Sequence, residues 1–388
     1  MKLLMLSIEF PPGPGGLGTQ AYQAALHLSE LGWEVRVLTP QDHVDRATQI
    51  QFNAAQPFGV RTLSHVEPPL WEGVCRLLVA VWMMIRRRPD VLVAVGKQSV
   101  WLGAALSVLT GVPLAAFGSG SEFTGRSRLD ARLNRWAFGR ARHVIVVSQY
   151  TRTLMAAAGI RGASGADAAK VTLVPNGADA RRYRPGIVTD GLRARLGIGK
   201  QRVLLTVGQL SERKAQDVVI RALPAILTKH PDVIYVLVGL PTRAQELERL
   251  AQDLGVREHV LITGTVPVDE LVLYYNLADL FVLVSRRTEE GNVEGYGIVV
   301  SEAALCGVPA VVSSGCGLEE AVLGGRTALL VEPDDPRATA AAILSLLSDD
   351  SARREMGAAA RERVLETGTW AQRAAVYGRI LRRVVGGQ

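Results

Sequence analysis

Residues 294–314 read EGYGIVVSEAALCGVPAVVSS, a stretch that contains a glycine-rich loop, a helical segment and an apolar strand in that order. The helix is predicted to begin near Ile298, after the two glycines. Gly307 then ends the helix as a cap, and the strand opens after Pro309. This stretch therefore predicts one helix-to-strand step of a parallel α/β sheet.

The same Gly-Val-Pro step recurs at residues 111–113, and short apolar runs alternate with helical patterns along both halves of the chain. The runs before residue 150 are LLMLSI, EVRVLT, VLVAVG, PLAAFG and VIVVS. The runs after residue 200 are VLLTVG, VIYVLVG, VLITG, LFVLVS and PAVVSS. Such runs, rich in Val, Ile and Leu, are typical of strands that are buried on both faces of a parallel sheet. We therefore expect an α/β fold with two doubly wound domains.

A segment rich in glycine and lacking a clean strand separates the two halves. We place an interdomain linker at 185–200, between an N-terminal domain at 1–184 and a C-terminal domain at 201–369. Residues 370–388 have an amphipathic helical pattern and stand apart from the last strand-like run, near 328–331. They predict a terminal helix that docks on a domain surface.

Length and composition exclude several classes of protein. The chain has 388 residues, enough for about two domains, and its content of 48% hydrophobic and 21% charged residues excludes disorder and a fibrous repeat. The longest apolar run, at 77–85, is shorter than the roughly 20 residues of a membrane span, and the run after Lys2 is shorter than a secretory core. Three cysteines without metal-ligand spacing argue against a disulfide framework or a zinc site. We expect a cytoplasmic protein.

The net charge of +7 is unevenly distributed. Residues 1–185 carry 21 Lys/Arg against 12 Asp/Glu, and the remainder carries 23 against 25. Arginines end the apolar run at Arg86, Arg87 and Arg88, and recur along the next helical stretch at Arg126, Arg128, Arg132, Arg135, Arg140 and Arg142. Two interpretations stay open: a solvated face, or attraction of anionic lipid headgroups or an acidic substrate. No aromatic-rich motif accompanies the arginines, so nucleic acid is not expected as a partner.

The first predicted strand and helix are joined by a loop whose residues 13–18 match the dinucleotide fingerprint G-x-G-x-x-G. That fingerprint also needs an acidic residue at the tip of the second strand, whereas here Asp42 lies beyond the strand end. Prolines also make the loop longer and stiffer than a minimal turn. Three interpretations stay open: a dinucleotide site, a purely structural turn, and, preferred, a loop beside a cleft where Gly15 and Gly16 leave room for a ligand.

Glu294 and Glu302 stand eight residues apart, with the predicted helix start between them. Eight residues of continuous helix span about 12 Å, whereas the two carboxyls of a retaining glycosidase lie roughly 5 to 5.5 Å apart. The spacing therefore favours separate roles for the two glutamates. The amides of Gly297, Ile298 and Val299 would face outward at the positive end of the helix, where a diphosphate is well placed.

These residues resemble the E-x7-E signature of retaining glycosyltransferase family 4, which has the GT-B architecture. The resemblance extends over most of the chain, through GGLG near the start, VSQYTRTLM at 147–155, VPNGAD at 174–179, VGQLSERKAQD at 207–217 and GLEEAVLGGRTALLVEPDDP at 317–336. It implies two Rossmann-like domains that face each other across a cleft, with a C-terminal helix that crosses back to the first domain. It also implies that the C-terminal domain binds a nucleotide-diphosphate-sugar and the N-terminal domain the acceptor.

The same resemblance implies site residues. Lys214 would bind the donor diphosphate, Glu302 the ribose hydroxyls and Glu294 the transferred sugar; Arg213 and Val266 would bind phosphate and base respectively, or be structural. The donor-binding set implied is Gly16, Gln209, Arg213, Lys214, Val266, Glu294, Gly297, Ile298, Val299 and Glu302. The catalytic set is Glu294, Lys214 and Ser119, and the acceptor-side set is Gly15, Gly16 and Glu122.

The chain departs from the family pattern at two positions. Gln209 stands where relatives commonly have an arginine, and a neutral hydrogen bond is worth less than a charge-assisted one. Ser119 stands before Gly-Ser-Glu where many relatives have a histidine that contacts the donor sugar. The change at Gln209 predicts weaker donor binding unless Arg213 or another cation substitutes. For Ser119 three outcomes stay open: the enzyme tolerates the change, its rate is low, or it binds the donor without turnover.

The sequence thus predicts a metal-independent, retaining glycosyltransferase. Its acceptor would be a sugar or a lipid-linked cell-envelope precursor. Peripheral contact with anionic lipid at the inner face of the cell membrane is a further expectation. The alternatives are a non-catalytic nucleotide-sugar-binding protein, a nucleotide-sugar epimerase of the same fold and, last, a nicotinamide enzyme.

Overall fold

The computed structural model describes residues 1–42, 44–63, 69–125, 127–160 and 170–387. The chain forms two compact units: unit 1 comprises Met1–Asn176 with Trp370–Gln388, and unit 2 comprises Gly177–Thr369. Arg126, one of the predicted series of arginines, lies outside the described residues.

Unit 1 is built on a parallel sheet. Its strands are β1 (Lys2–Ser7), β2 (Glu34–Pro40), β3 (Gly59–Leu63), β4 (Val91–Val95), β5 (Leu114–Gly118), β6 (His143–Val146) and β7 (Val171–Leu173). The strand order is β3-β2-β1-β4-β5-β6-β7, and the strand pairs are parallel. Strands β2 and β3 therefore follow on one side of β1, and β4 through β7 follow on its other side. This is the doubly wound topology.

Helices cover both faces of this sheet. They are α1 (Gly16–Glu30), α2 (Arg46–Ala54), α3 (Pro69–Arg87), α4 (Lys97–Thr110), α5 (Arg128–Arg140), α6 (Gln149–Ala157) and, from the end of the chain, α15 (Trp370–Gly386). Alternate residues of β4 point to opposite faces. Val93 lies in the core cluster that includes residues of α1 and α15, and Leu92 lies in the cluster that includes residues of α3, α4 and α5.

The C-terminal helix α15 belongs to unit 1. Its Tyr377 and Leu381 are buried in the core cluster that includes Leu28 of α1, and the Tyr377 ring packs edge-on against Phe117 of β5 at 5.1 Å between centroids. This return to the first unit is part of the GT-B architecture that the sequence predicts.

Unit 2 repeats the same topology with a second parallel sheet. Its strands are β8 (Arg202–Val207), β9 (Val233–Val238), β10 (Val260–Gly264), β11 (Leu280–Leu283), β12 (Ala310–Ser313) and β13 (Ala328–Val331), in the order β10-β9-β8-β11-β12-β13. Its helices are α7 (Asp190–Leu196), α8 (Gln216–Lys229), α9 (Ala244–Asp253), α10 (Leu271–Leu277), α11 (Ile298–Leu305), α12 (Leu318–Ala321), α13 (Pro336–Leu347) and α14 (Asp350–Thr367). The prediction of two doubly wound α/β domains is confirmed.

The two units divide at residues 176 and 177, upstream of the linker predicted at 185–200. That stretch contains α7 and belongs to unit 2. The N-terminal domain predicted at 1–184 therefore includes residues that the contacts assign to unit 2, and the linker itself stays a prediction.

In each unit the strand order reverses between two adjacent strands, β1 and β4 in unit 1 and β8 and β11 in unit 2. In open α/β sheets the loops after two such strands diverge at the carboxyl edge, and ligands bind in the crevice between them. The predicted site residues of each unit lie on the loops that follow the strands or in the helices that those loops lead into.

Candidate functional site

The loop after β8 brings two cationic side chains to the carboxyl edge of the unit 2 sheet. Residues 212–214 form a 3-10 turn before α8, and this turn carries Arg213 and Lys214. The Lys214 side chain is only 9% exposed, although lysine is almost never fully buried without a partner. Its burial therefore indicates that an anionic side chain of the protein lies beside it.

That partner is Glu294, from the loop that follows β11. The Lys214 Nζ lies 2.7 Å from Glu294 Oε2, and Arg213 Nη1 donates to the same carboxylate oxygen. Because β8 and β11 are neighbours in the sheet, their loops reach the same place from distant parts of the sequence. The structure thus brings together three of the predicted donor-site residues.

The charges in this cluster are strongly coupled. Burial alone would raise the pKa of Glu294, but Arg213 and Lys214 outweigh it and lower that pKa to about 2. Burial lowers the pKa of Lys214, and Glu294 opposes this effect. Glu294 is therefore ionised at neutral pH, and the site has two cations around one carboxylate.

Helix α11 starts beside this cluster. Gly297 precedes it with φ +84°, a left-handed conformation that favours glycine, and the helix begins at Ile298 as the sequence predicts. Gly317 packs so closely on this loop that a Cβ there would overlap the carbonyl oxygen of Gly295, and its N–H donates to the carbonyl oxygen of Glu294 at 3.0 Å. The first amides of a helix have no partner inside the helix and favour an anion.

Glu302 has different partners from Glu294. It lies within α11, is buried, and accepts a hydrogen bond from the Tyr275 hydroxyl at 2.7 Å. Tyr183 also hydrogen-bonds to this carboxyl group, and burial raises the pKa of Glu302. The two glutamates of the pair are therefore held in separate environments, as the spacing argument expects.

Two further predicted donor residues are less constrained. Gln209 is exposed, and its amide donates to the Thr242 hydroxyl at 3.4 Å. Val266 is half-buried in the loop after β10. These surroundings assign no role to either residue, so both roles stay predictions.

Sequence reasoning missed the tyrosines that hold Glu302 and a buried hydroxyl near the end of β11. Ser285 is 1% exposed, and within the described residues its hydroxyl has no hydrogen-bond partner. Tyr275 and Tyr183 are distant from Glu302 in the sequence, and only the tertiary structure brings them into contact with it. The signal that could have identified Ser285 is its position two residues after a buried strand, where ligand-binding side chains concentrate.

Unit 1 holds the remaining predicted residues, Ser119 and Glu122, after β5. Glu122 is buried and accepts from the backbone N–H of Gly120 at 2.7 Å and from that of Ser119 at 3.2 Å. Burial raises the pKa of Glu122 despite these hydrogen bonds. The Ser119 hydroxyl donates to the side-chain oxygen of Gln20 at 3.3 Å. Glu122 therefore acts here to hold its own loop.

The glycine loop at the start of unit 1 leads directly into α1. Gly16 is the first residue of this helix, is exposed, and has open space where a side chain would project. The Glu9 carboxylate already accepts from the N–H of Gly18 at 3.4 Å. An acidic side chain at this helix start disfavours the dinucleotide interpretation, because the phosphates would meet a like charge.

A cavity of about 330 Å³ lies in unit 1 beside α3 and α4. Its lining includes Leu6, Leu38 and Trp101, which are apolar, and Arg76 and Ser99, which are polar. The combination of an apolar lining with a few polar groups is typical of small-molecule sites.

Two further findings concern the described residues alone. No cluster of three or more His, Cys, Asp or Glu side chains suited to a metal ion occurs among them. None of their helices is both long and apolar enough to cross a membrane.

Comparison with known families identifies the class of protein. The family model for glycosyl transferases group 1 matches residues 189–363, and that for a glycosyl transferase 4-like domain matches residues 15–177. The chain belongs to the family 4 type of GT-B glycosyltransferases. It is a glycosyltransferase, and its donor is a nucleotide sugar.

Two of the relatives that match this chain are described as mannosyltransferases. The chain is 32% identical to a GDP-mannose-dependent alpha-(1-6)-phosphatidylinositol monomannoside mannosyltransferase of Mycolicibacterium smegmatis, over 98% of each chain. It is 30% identical to the Mycobacterium tuberculosis protein of the same description, again over 98% of each.

Solved structures agree on the fold. HepE of Anabaena, in complex with UDP and glucose, matches with a TM-score of 0.81 and 24% identity, over 98% of this chain and 99% of that one. Sucrose-phosphate synthase of Thermosynechococcus elongatus matches with a TM-score of 0.82 and 22% identity, over all of both chains.

Proposed function

We propose that this protein transfers mannose from GDP-mannose to a phosphatidylinositol mannoside, with retention of anomeric configuration and without a metal ion. The donor and acceptor are those named for relatives that match nearly the whole chain. The observation that carries the proposal is the buried cluster of Glu294 with Lys214 and Arg213 beside the start of α11.

The donor diphosphate binds at this cluster. Lys214, Arg213 and the first amides of α11 together supply the positive charge that a nucleotide diphosphate needs. In the free enzyme the Glu294 carboxylate takes the place of that anion. When the donor enters, the phosphates share these cations, and Glu294 becomes available to accept from hydroxyls of the sugar.

The same charges promote the reaction. Breaking the bond between the sugar and the diphosphate leaves negative charge on the departing phosphate, and Lys214 stabilises it where it develops. A phosphate oxygen then accepts the acceptor hydroxyl proton on the same face of the sugar, so the new bond retains the configuration of the old one. Fixed cations and helix amides at the diphosphate perform the neutralising task that a divalent metal ion performs in other transferases.

Other residues position the donor. Glu302, fixed by Tyr275 and Tyr183, accepts from the ribose hydroxyls through lone pairs that the tyrosines leave free. Val266 contacts the base. Gln209 provides only neutral hydrogen bonds to the phosphates, so Arg213 carries more of the binding.

Unit 1 binds the acceptor in this proposal. The cavity beside α3 and α4 offers apolar walls together with the cationic Arg76, which suits part of a phospholipid with its phosphate. Ser119 and the Glu122 loop lie at the same carboxyl edge as the glycines at 15 and 16. Because such an acceptor is a membrane lipid, the enzyme works in the cytoplasm at the inner face of the cell membrane, as a peripheral protein.

The test measures transfer of labelled mannose from GDP-mannose to phosphatidylinositol monomannoside in detergent, with and without EDTA. We expect glycolipid product in both conditions. Lys214→Met, which removes the charge at similar length, should lower kcat/KM by roughly 10- to 150-fold through the loss of a charge-assisted hydrogen bond. The exposed Lys200→Met is the matched control and should retain activity.

Several outcomes would contradict parts of this proposal. Binding of GDP-mannose by calorimetry without transfer to a panel of acceptors would favour a non-catalytic sugar-nucleotide-binding protein, for which the departures at Ser119 and Gln209 argue. Conversion of the donor without any acceptor would indicate an epimerase. Loss of activity in EDTA, with recovery on adding a divalent ion, would refute metal independence.

A further inference from the structure

Helix α3 of unit 1 is apolar on two opposite sides. Ala80, Met83 and Met84 are buried against the sheet. On the other side Val74, Leu78, Trp82 and Ile85 are spaced 4, 4 and 3 residues apart and so form one stripe along the helix. Their exposed fractions lie between 44% and 72%. A soluble helix normally has polar residues on its outer face, so this stripe calls for an apolar partner.

The stripe ends in a cluster of positive charge. Arg86, Arg87 and Arg88 follow Ile85 directly, and all three are exposed. Arg88 has a left-handed backbone conformation, with φ +47°, and its N–H closes the last turn of the helix by donating to the carbonyl oxygen of Met84. No Asp or Glu occurs between residues 74 and 88, so acidic neighbours on the same helix do not neutralise this charge.

Helices α4 and α5 extend the same surface. Their buried residues share one core cluster with those of α3, which places the three helices on one face of the unit 1 sheet. The outer positions of α4 and α5 again combine large apolar side chains with arginines, all of them exposed: Val108, Leu109, Arg128, Leu129, Arg132, Arg135, Trp136 and Arg140. The acidic side chain of α5, Asp130, is neutralised by Lys97 at 2.6 Å. We call these outer residues of α3, α4 and α5 the α3–α5 surface.

The opposite face of unit 1 provides a contrast. Helix α15 also has exposed arginines there, at Arg379, Arg382 and Arg383, but none of its large hydrophobic side chains is exposed. Positive charge by itself is therefore common to both faces. Among the described residues, the α3–α5 surface combines charge with a stripe of exposed apolar side chains, and helix α15 does not.

We propose that the α3–α5 surface docks on an anionic lipid bilayer, with Val74, Leu78, Trp82 and Ile85 entering the interface and the arginines contacting lipid phosphates. This proposal rests on the proposed function in assuming a membrane acceptor, and it adds which surface meets the membrane. Tryptophan favours the boundary between headgroups and acyl chains. Each arginine near an anionic membrane increases the partitioning of the protein onto it by about fivefold. Burial of the apolar side chains adds a contribution to the binding free energy that salt does not screen.

A nucleic acid or an acidic protein would use the arginines but would not need the stripe. Apolar substitutions should therefore weaken binding to a bilayer but not to a nucleic acid or an acidic protein, whereas charge substitutions should weaken both. Both sets of substituted residues are exposed, so the variants are expected to fold.

The experiment is co-sedimentation of the full chain with vesicles of phosphatidylcholine, or of phosphatidylcholine with about a third phosphatidylglycerol. The vesicles contain neither inositol lipid nor GDP-mannose, so the readout is independent of the transferase reaction. We expect the protein to bind the anionic vesicles at low salt, to bind them less at high salt, and to be retained poorly by pure phosphatidylcholine. The Trp82 contribution to fluorescence, obtained by difference from Trp82→Phe, should shift to shorter wavelength on binding.

Three variants test the assignment of the surface. The triple change of Arg86, Arg87 and Arg88 to Gln should weaken binding by at least tenfold, and the double change Leu78→Ser with Trp82→Ser should weaken it comparably. The control Arg379→Gln with Arg382→Gln, on the opposite face, should bind as wild type does. All three should keep wild-type transfer to acceptor dispersed in detergent.

Three results would overturn the proposal. Equal loss of binding in the control would mean that only net charge matters, and normal binding by the apolar variant would mean a general polyanion site suited to nucleic acid or acidic protein. Docking without any mannose transfer would leave this proposal intact and refute the proposed function. Mannose transfer in detergent without docking on the vesicles would refute this proposal and leave the proposed function intact.

Discussion

Replacing Glu294 with Gln removes one negative charge from the buried cluster while nearly preserving the shape of the side chain. The pKa of this carboxyl is lowered from 4.5 to about 2. A difference of about 2.5 in pKa corresponds to about 3 kcal/mol of stability at neutral pH. We therefore expect Glu294→Gln to lower the free energy of unfolding of unit 2 by about that amount at pH 7, because Lys214 and Arg213 lose their anionic partner.

The sign of the pH dependence follows from the direction of the change in pKa. A carboxyl whose pKa is lower in the folded state stabilises that state fully above pH 4.5, and this contribution is lost as the pH falls through about 2. The difference between variant and wild type should thus shrink to about 2 kcal/mol near pH 3.5. Urea unfolding at pH 7, 5 and 3.5 measures this difference in the free energy of unfolding. Glu289→Gln, at an exposed position on the same loop, is the control.

Addition of GDP provides a second readout for the same variant. If the diphosphate binds where Glu294 now neutralises the cations, its charge substitutes for the missing carboxylate. GDP should then bind the variant more tightly than wild type and restore part of the lost stability, while mannosyl transfer falls. A variant as stable as wild type at pH 7, or one with no pH dependence in the difference, would refute the electrostatic reasoning. Equal GDP affinity would refute the placement of the diphosphate.

Three further substitutions test neighbouring parts of unit 2. Gln209→Arg should tighten GDP binding by about tenfold in calorimetry, because it adds a charge-assisted hydrogen bond at an exposed position; unchanged affinity would place the phosphates elsewhere. Tyr275→Phe should cost about 1 to 3 kcal/mol in urea unfolding, since it removes a donor from the buried Glu302 carboxyl, and a neutral effect would mean that Tyr183 suffices. Gly317→Ala should lower the melting temperature and donor affinity together, because the added methyl group would displace the Gly295 carbonyl; a change in melting temperature alone would separate this packing from the site.

The strands of the two sheets were the most predictable part of the fold. The ten quoted apolar runs correspond to β1, β2, β4, β5 and β6 in unit 1 and to β8 through β12 in unit 2, because strands buried on both faces must be apolar throughout. The quoted runs did not include β3 and β7, which lie at the two edges of the unit 1 sheet. Most of their residues are only half-buried or exposed, so they lack the continuous apolar signal.

The residues of the charged cluster could be named from the sequence, but their pairing could not. Glycines at 295 and 297 and the start of α11 could be read locally, since a left-handed residue before a helix leaves a sequence signature. The pairing of Glu294 with Arg213 joins residues 81 apart, and no local pattern encodes it. It depends on the strand order, which returns the chain from β10 at the sheet edge to β11 beside β8. In this unit the reversal of strand order is what converts two distant loops into one charged cluster. We therefore expect a substitution that alters the register between β8 and β11 to disturb this cluster without touching any of its residues.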